Sequence, residues 1–289
     1  MYWFREPVSS NRADVESIGL SDVLKSLGGV GEGMERELLF DSATWLVWSA
    51  PLVGVLAAGL SRRRDPVIED TRILRHDMPA RITHWTHGIG TMMLLISGIA
   101  LGLFFTPTLV GGGEPVWTWM NVHFVFVTMF LFGTFYYGAN TLISPKRFGE
   151  HLPTKNAVDY TKRHYGLLLG FKKFTFPPEA KYFESEKMAY LMAFASTVLI
   201  IITGLLKVAA HAIDMPAWIL AVATPVHDIS TVAMLAFFVA HVFFAAVIPV
   251  SWPVLRSMFS GYVSREYAEK DHAGWIAKIE GRPVTDDAK

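Results

Sequence analysis

Five apolar stretches, at 43–60, 84–105, 117–139, 188–210 and 226–250, are each long enough to span or nearly span a bilayer. Inside hydrocarbon no water satisfies a backbone N–H or C=O, so segments of this length fold as helices that close their own hydrogen bonds. The expected fold is all-α: an integral membrane helical bundle of five spans, in which one extra N-terminal helix precedes a core of four. Composition agrees, with 52% hydrophobic residues, while 26 basic and 26 acidic side chains cancel, so no basic nucleic-acid surface is implied. There is no cysteine, which excludes a covalently attached c-type haem and any iron–sulfur cluster held by this chain's own thiolates.

The spans divide the chain into an N-terminal segment 1–42, the first helix 43–60, a loop 61–83, a core 84–252 with a long internal loop 140–187, and a tail 253–289. Loop 61–83 carries six arginines and loop 140–187 nine lysines and arginines, whereas 106–116 and 211–225 carry none. Basic loops face the cytoplasm. Five spans then put the N-terminus outside and the C-terminus inside a bacterial cytoplasmic membrane. The first span is read as retained, because its acidic upstream and its Arg62-Arg63-Arg64 flank reverse the charge order of a signal peptide. The glycine-rich stretch 28–33 is a loop, since no strand precedes it and no Gly-Lys-Ser/Thr follows. Trp45, Trp85, Trp117, Trp119, Trp218 and Trp252 mark span ends as interfacial anchors.

Histidines are the chemistry-bearing residues. His227 and His241 lie fourteen residues apart in one apolar stretch, so both rings point roughly the same way, about 21 Å apart along the axis. His84 and His123 open two other spans. Under the topology above, His84 and His241 share the inner depth, and His123 and His227 the outer. Histidine inside a membrane is costly and marks a cofactor, an ion path or a proton relay. Two pairs at two depths can supply the axial ligands of two stacked b-type haems from facing helices. Gly98, fourteen residues after His84, faces the same side at the outer depth, where a missing side chain admits a porphyrin edge; with Gly102 it also makes a small-xxx-small packing pattern.

The remaining polar groups receive plainer readings. Lys207 either snorkels to the interface, the first choice, or neutralises a haem propionate. Asp228 is taken first as a helix-start carboxylate and second as a partner of an imidazole. His87 competes with His84 as a ligand, while His76, His151, His164, His211 and His272 are expected to be solvated. Glu184 and Glu186 read first as a solvated charge run before a span, and second as carboxylates exchanging protons with a quinone. The tail from Arg256 reads as polar and helix-prone.

Three features carry a family likeness: Arg81-Ile-Thr-His-Trp85, the His227 to His241 spacing, and the tail Gly261-Tyr-Val-Ser-Arg-Glu-Tyr-Ala-Glu-Lys-Asp-His-Ala-Gly-Trp275. Together they make residues 75–280 resemble the cytochrome b, or gamma, subunit of respiratory formate dehydrogenases, which is related to the b-type cytochrome of membrane-bound nickel–iron hydrogenases. The resemblance implies a dihaem core, with His123 and His227 holding an outer haem b and His84, rather than His87, holding an inner one with His241. It implies an extracytoplasmic iron–sulfur partner, a catalytic subunit such as a molybdenum, tungsten or nickel–iron enzyme, and a quinone (menaquinone or ubiquinone) reduced near the cytoplasmic face. The chain departs from the family where Lys181-Tyr-Phe-Glu-Ser-Glu-Lys187 replaces a Lys-Tyr-Asn-Ala-Gly-Gln-Lys segment, so Phe183 and Ser185 stand where the family has quinone-contacting residues. The expected function is a membrane anchor and electron conduit in a respiratory oxidoreductase complex. The alternatives are the same conduit run from quinol to an extracytoplasmic reductase, and a non-redox membrane protein using its histidines for metal or protons.

Overall fold

The computed structural model describes residues 38–103, 106–110, 114–171, 173–175 and 177–284. The exported segment expected at 1–42 therefore lies outside the described residues up to residue 37, with its glycine-rich stretch. The long helices are α2 (Trp45–Leu60), α3 (Met78–Leu101), α4 (Glu114–Tyr137), α7 (Glu184–Ala209) and α8 (Ala217–Val242), and a short α1 (Leu39–Ser42) precedes them. The stretches 115–142, 184–209 and 217–247 are long and apolar enough to cross a membrane; α2, at 16 residues, is shorter.

Helices begin earlier than the apolar stretches do. Asp77 caps α3 by accepting a hydrogen bond from the Ala80 N–H at 3.1 Å, and Pro79 sits in the first turn, where its missing N–H costs nothing. That start places His84 six residues inside the helix. The other end of α3 stops at Leu101, not at 105, because Gly102 turns the chain at φ 98°. A Cβ there would lie 2.9 Å from the Thr108 backbone nitrogen, so Gly102 serves the cap rather than helix packing. In α8 the helix starts at Ala217 and carries Pro225 inside it, so His227 is ten residues in and Asp228 is mid-helix. Asp228 is consequently not the helix-start carboxylate its sequence position suggested.

Lipid chains are as apolar as leucine, so helices in a membrane associate by close packing more than by apolar burial. Helix α4 is the centre of one group, packed on both α2 and α3, and α7 and α8 form a second pair. Contact with α2 is closest at Gly54, where a Cβ would stand 2.6 Å from the Phe132 carbonyl oxygen. The groups are joined away from the basic loops by a core of Leu39, Phe40, Val47, Phe124, Leu131 and Val208. Nearer the basic loops α3 meets α8 over a short stretch. Outward-facing Leu52, Leu56, Ile96, Leu199, Ile202 and Val239 are exposed, as lipid-facing side chains are, and Trp45, Trp218 and Trp252 are exposed at helix ends.

The loops on the basic side are folded rather than simple connections. Within 140–187 lie a π-helical turn (Gly138–Leu142) that continues α4, then α5 (Pro145–His151) and α6 (Ala157–Leu168). Strands β1 (Ile68–Glu69) and β2 (Arg72–Leu74) make a hairpin across Asp70, whose φ of 42° suits a two-residue turn. The tail adds α9 (Trp252–Ser260), β3 (Tyr262–Ser264), α10 (Arg265–Asp271) and α11 (Ala273–Ile279). β3 pairs antiparallel with β2 in the register Ile73↔Val263, giving the order β1-β2-β3. Ile73, Val263, Ala268, Trp275 and Ile276 make a core of their own, so the tail is a packed cap and not a solvated extension. The tail is helical over most of its described length, as its sequence reads, but its polar residues enclose an apolar core.

Replacing Gly54 with valine forces the α2 backbone away from Phe132. We expect Gly54→Val to cost about 1–3 kcal/mol, read as a lower thermal midpoint in detergent, with the absorption spectrum of the bundle unchanged because α2 carries none of its histidines.

Candidate functional site

Helix α3 turns the His84 ring toward α8, where His241 faces it with ring centroids 6.0 Å apart and planes at 58°. His241 is steadied by Phe237, one turn earlier, whose ring stacks on it at 5.6 Å and 15°. His87 points elsewhere: its ring lies 4.7 Å from Phe130, in the α3–α4 contact. A step of three residues rotates a side chain by about 60°, enough to take His87 out of the space that His84 and His241 share.

The second pair sits toward the other end of the bundle. His227 Nδ1 lies 2.8 Å from Thr203 Oγ1 on α7, and His123 Nδ1 lies 2.8 Å from Ser97 Oγ on α3. Each hydroxyl is followed by a glycine against the ring it contacts. A Cβ at Gly98 would be 3.9 Å from His123 Cε1, and one at Gly204 would be 3.4 Å from His227 Cε1. His123 and His227 are near enough for their charges to interact. Lys207 is one turn beyond Thr203, half-buried, and within electrostatic reach of both rings and of Asp228.

The first arrangement suits an iron-centred macrocycle. With metal–imidazole bonds of about 2 Å, two rings on opposite sides of one iron have centroids about 6 Å apart, which is the His84–His241 separation. Among the described residues no three His, Asp or Glu side chains converge on a point, so nothing there resembles a site for a bare metal ion. Paired imidazoles can instead rely on a porphyrin for the remaining ligands.

The basic-side cap holds a polar cluster that sequence reasoning placed in solvent. His76, His164 and His272 are buried, not solvated. His272 Nδ1 lies 2.7 Å from the Ala180 carbonyl and its ring stacks on Phe183 at 4.4 Å; His76 Nδ1 meets Ser257 Oγ at 2.9 Å. Burial, reinforced by the Arg75 guanidinium, holds both rings well below the usual imidazole range, so they are neutral. Glu184 is no solvated charge either: it is buried, ion-paired to Lys187 Nζ at 2.6 Å, and accepts from the Thr154 N–H at 2.9 Å. Glu186, two residues on and exposed, accepts from the Phe183 N–H at 3.0 Å as a helix cap. His151 and His211 remain partly exposed, His211 beside Asp41 at 3.1 Å.

Glu179 completes the cluster and was not anticipated. It is fully buried, one carboxylate oxygen accepts from the Glu184 N–H at 3.1 Å, and the other has no hydrogen-bond partner. The sequence signal that existed was slight, a carboxylate after two prolines, Pro177-Pro178-Glu179. A second missed signal was stronger: a hydroxyl–glycine dipeptide occurs once in each of two spans, as Ser97-Gly98 and Thr203-Gly204.

Apolar helices that bring histidines of neighbouring helices together suit a b-type cytochrome, an integral membrane electron carrier. Residues 75–261 match the family described as prokaryotic cytochrome b561, and the chain belongs to that family, which makes haem b its cofactor. The chain is also similar to the formate dehydrogenase cytochrome b556 subunit of Haemophilus influenzae, 25% identical over 214 residues that cover 72% of this chain and 84% of the relative.

Burial, then the neighbouring Glu184 charge, pushes the Glu179 carboxyl up to about 7, against the opposing hydrogen bond from the Glu184 N–H. A carboxyl whose folded value is raised binds more protons when folded, so its contribution to stability is full below its unfolded value near 4.5 and is lost as pH rises to about 7. The buried neutral histidines act with the opposite sign near their ordinary value of 6.5, so the comparison must be with a variant. Glu179→Gln is expected to gain stability over wild type as pH goes from 5 to 8, measured as the pH dependence of amide exchange at Trp275, whose N–H bonds to the Glu179 carbonyl.

Proposed function

We propose that the chain is the dihaem cytochrome b subunit and membrane anchor of a respiratory oxidoreductase complex, with two haem b groups per chain. When bound, these haems supply one-electron carriage between an extracytoplasmic iron–sulfur partner and a quinone on the cytoplasmic side. The observation that carries the reading is the facing of His84 and His241 at 6.0 Å, with one hydroxyl-held histidine on each of α4 and α8 farther along the bundle.

His84 and His241 would hold the inner haem iron and His123 and His227 the outer. His227 and His241 on the single helix α8 then set the two sites about 21 Å apart along its axis. Lys207, one turn beyond Thr203, supplies a positive charge for a propionate there, and Gly98 gives the room for the His123 ring. On the inner side Glu186 is the carboxylate exposed for proton exchange with quinone, since Glu184 is committed to Lys187. Lys187 and Glu184 shape that region as a neutral pair rather than as a proton source.

Five spans, counting α2 and α3, fit this assignment. Residues Leu39 and Asp41 meet Asn121 and His211 at one end of the bundle, and Ser61 meets the Tyr136 hydroxyl at the other. Helix α2 therefore runs alongside α4 through the same thickness. With the basic loops inside, the N-terminus is outside a bacterial cytoplasmic membrane and the cap built from the tail is cytoplasmic. The segment 1–42 is then on the side of the iron–sulfur and catalytic partners, and the name of the Haemophilus relative favours a molybdenum- or tungsten-dependent formate dehydrogenase over a nickel–iron enzyme as that partner.

The test is a pyridine haemochrome assay with a dithionite-reduced minus oxidised spectrum, on wild type, His123→Ala and His241→Ala. Two b haems per chain, and the loss of one in each variant, are expected. Haem-free wild type after expression with ample haem would overturn the proposal.

A further inference from the structure

We infer that Ser97 and Thr203 are paired positioning residues: each fixes the tautomer of the histidine on the next helix, so that Nε2 of His123 and of His227 is the nitrogen offered to iron, and together they lower the potential of the haem held there. The inference rests on the reading that His123 and His227 carry a haem iron.

A hydroxyl has one hydrogen to donate. Ser97 Oγ gives its hydrogen to a carbonyl of its own helix, with the Met93 oxygen at 2.8 Å, and Thr203 Oγ1 does the same with the Leu199 oxygen at 2.6 Å. Toward the imidazole each oxygen is left with lone pairs, so the short contact to Nδ1 requires the proton to be on the ring. Nδ1–H is then the donor, and Nε2 keeps its lone pair. The adjacent glycine leaves room for the ring beside the hydroxyl: a Cβ at Gly98 would be 3.9 Å from His123 Cε1, and one at Gly204 would be 3.4 Å from Cε1 and 3.9 Å from Nδ1 of His227.

The device occurs twice, once in each helix pair. Ser97 precedes its histidine by 26 residues and Thr203 by 24, in each case across one connection between antiparallel helices. A single hydroxyl beside a buried histidine needs no explanation beyond satisfying its N–H. Two hydroxyl–glycine dipeptides that reach the two members of one pair point to a shared demand, the same nitrogen from both sides. His84 and His241 differ. Among the described residues their rings meet other rings, Trp85, Phe237 and each other.

A donor hydrogen bond from Nδ1–H shifts electron density onto the ring and makes Nε2 a better base. A more basic axial ligand favours the ferric state. The haem between His123 and His227 is thereby lowered in potential, while the one between His84 and His241 lacks this contribution.

The experiment is a spectroelectrochemical titration of the full-length protein in detergent, comparing wild type with Ser97→Ala, Thr203→Val, Ser97→Thr and Thr203→Ser, together with the rate of haem transfer to apomyoglobin. Ser97→Ala and Thr203→Val are each expected to raise one midpoint potential, the same one in both, and to leave the other fixed. Haem loss from that site should quicken about 10- to 100-fold. Ser97→Thr and Thr203→Ser, which keep the hydroxyl, should retain the wild-type potential, an outcome that a purely space-filling role does not produce. Thr203→Val keeps the side-chain shape and carries the test alone if Ser97→Ala fails to accumulate. Haem present, lost from one site in His123→Ala, yet with both potentials unmoved in the hydroxyl-free variants, overturns this inference and leaves the dihaem reading standing. Wild type without haem at His123 and His227 overturns both.

Discussion

An imidazole carried into hydrocarbon must find a partner for each ring nitrogen, and the arrangement of the bundle follows from that demand. Two of the half-buried rings are partnered locally, each by a hydroxyl on the helix just before it in the chain. This ties α4 to α3 and α8 to α7, two of the close helix pairs of the fold. The second nitrogen of each ring is then presented to the space between the pairs. Glycines on α3 and α7 let the rings lie flat against the helix that holds them. Packing and chemistry are thus one constraint: the contact that closes each helix pair also orients its histidine.

The basic-side cap solves a different problem. It seals the end of the bundle where His84 and His241 meet, using a three-stranded sheet and short helices drawn from segments nearly two hundred residues apart. Arg81 donates to the Phe259 carbonyl and the Trp85 N–H to the Met258 carbonyl at 3.1 Å, so the start of α3 is fastened to the end of α9. Asp77 takes part twice, capping α3 and pairing with Arg63 at 2.8 Å. Under this fastening lie neutral histidines, a protonatable Glu179 and a compensated Glu184–Lys187 pair. A region expected from charge count to be solvated is in fact a polar interior, and its pH behaviour depends on burial more than on surface charge.

The apolar stretches at 43–60, 84–105, 117–139, 188–210 and 226–250 were enough to give an all-helical membrane bundle, because hydropathy over a span reports depth directly. Helix starts were less legible. Met78 to Thr83 and Ala217 to Pro225 continue their helices beyond the apolar cores, and nothing in a hydropathy average marks a capped polar turn. Four histidines stood out in apolar stretches, and of these the structure brings the rings of His84 and His241 to 6.0 Å. Asp228 and Glu184 were misjudged for a common reason: sequence distance from a span's end was taken as distance from water.

What the sequence determined by itself was a helical membrane bundle, a basic side to its loops, and no thiolate chemistry. Tertiary structure decided azimuth. It turned His84 rather than His87 toward His241, set Ser97 and Thr203 against two imidazoles, and folded the tail into a cap whose histidines are buried. The physical reason is that apolar composition fixes how deep a residue lies, while rotation about the helix axis is set by close contacts between backbones, as at Gly54, and by the partners that buried polar atoms find across helices far apart in the chain.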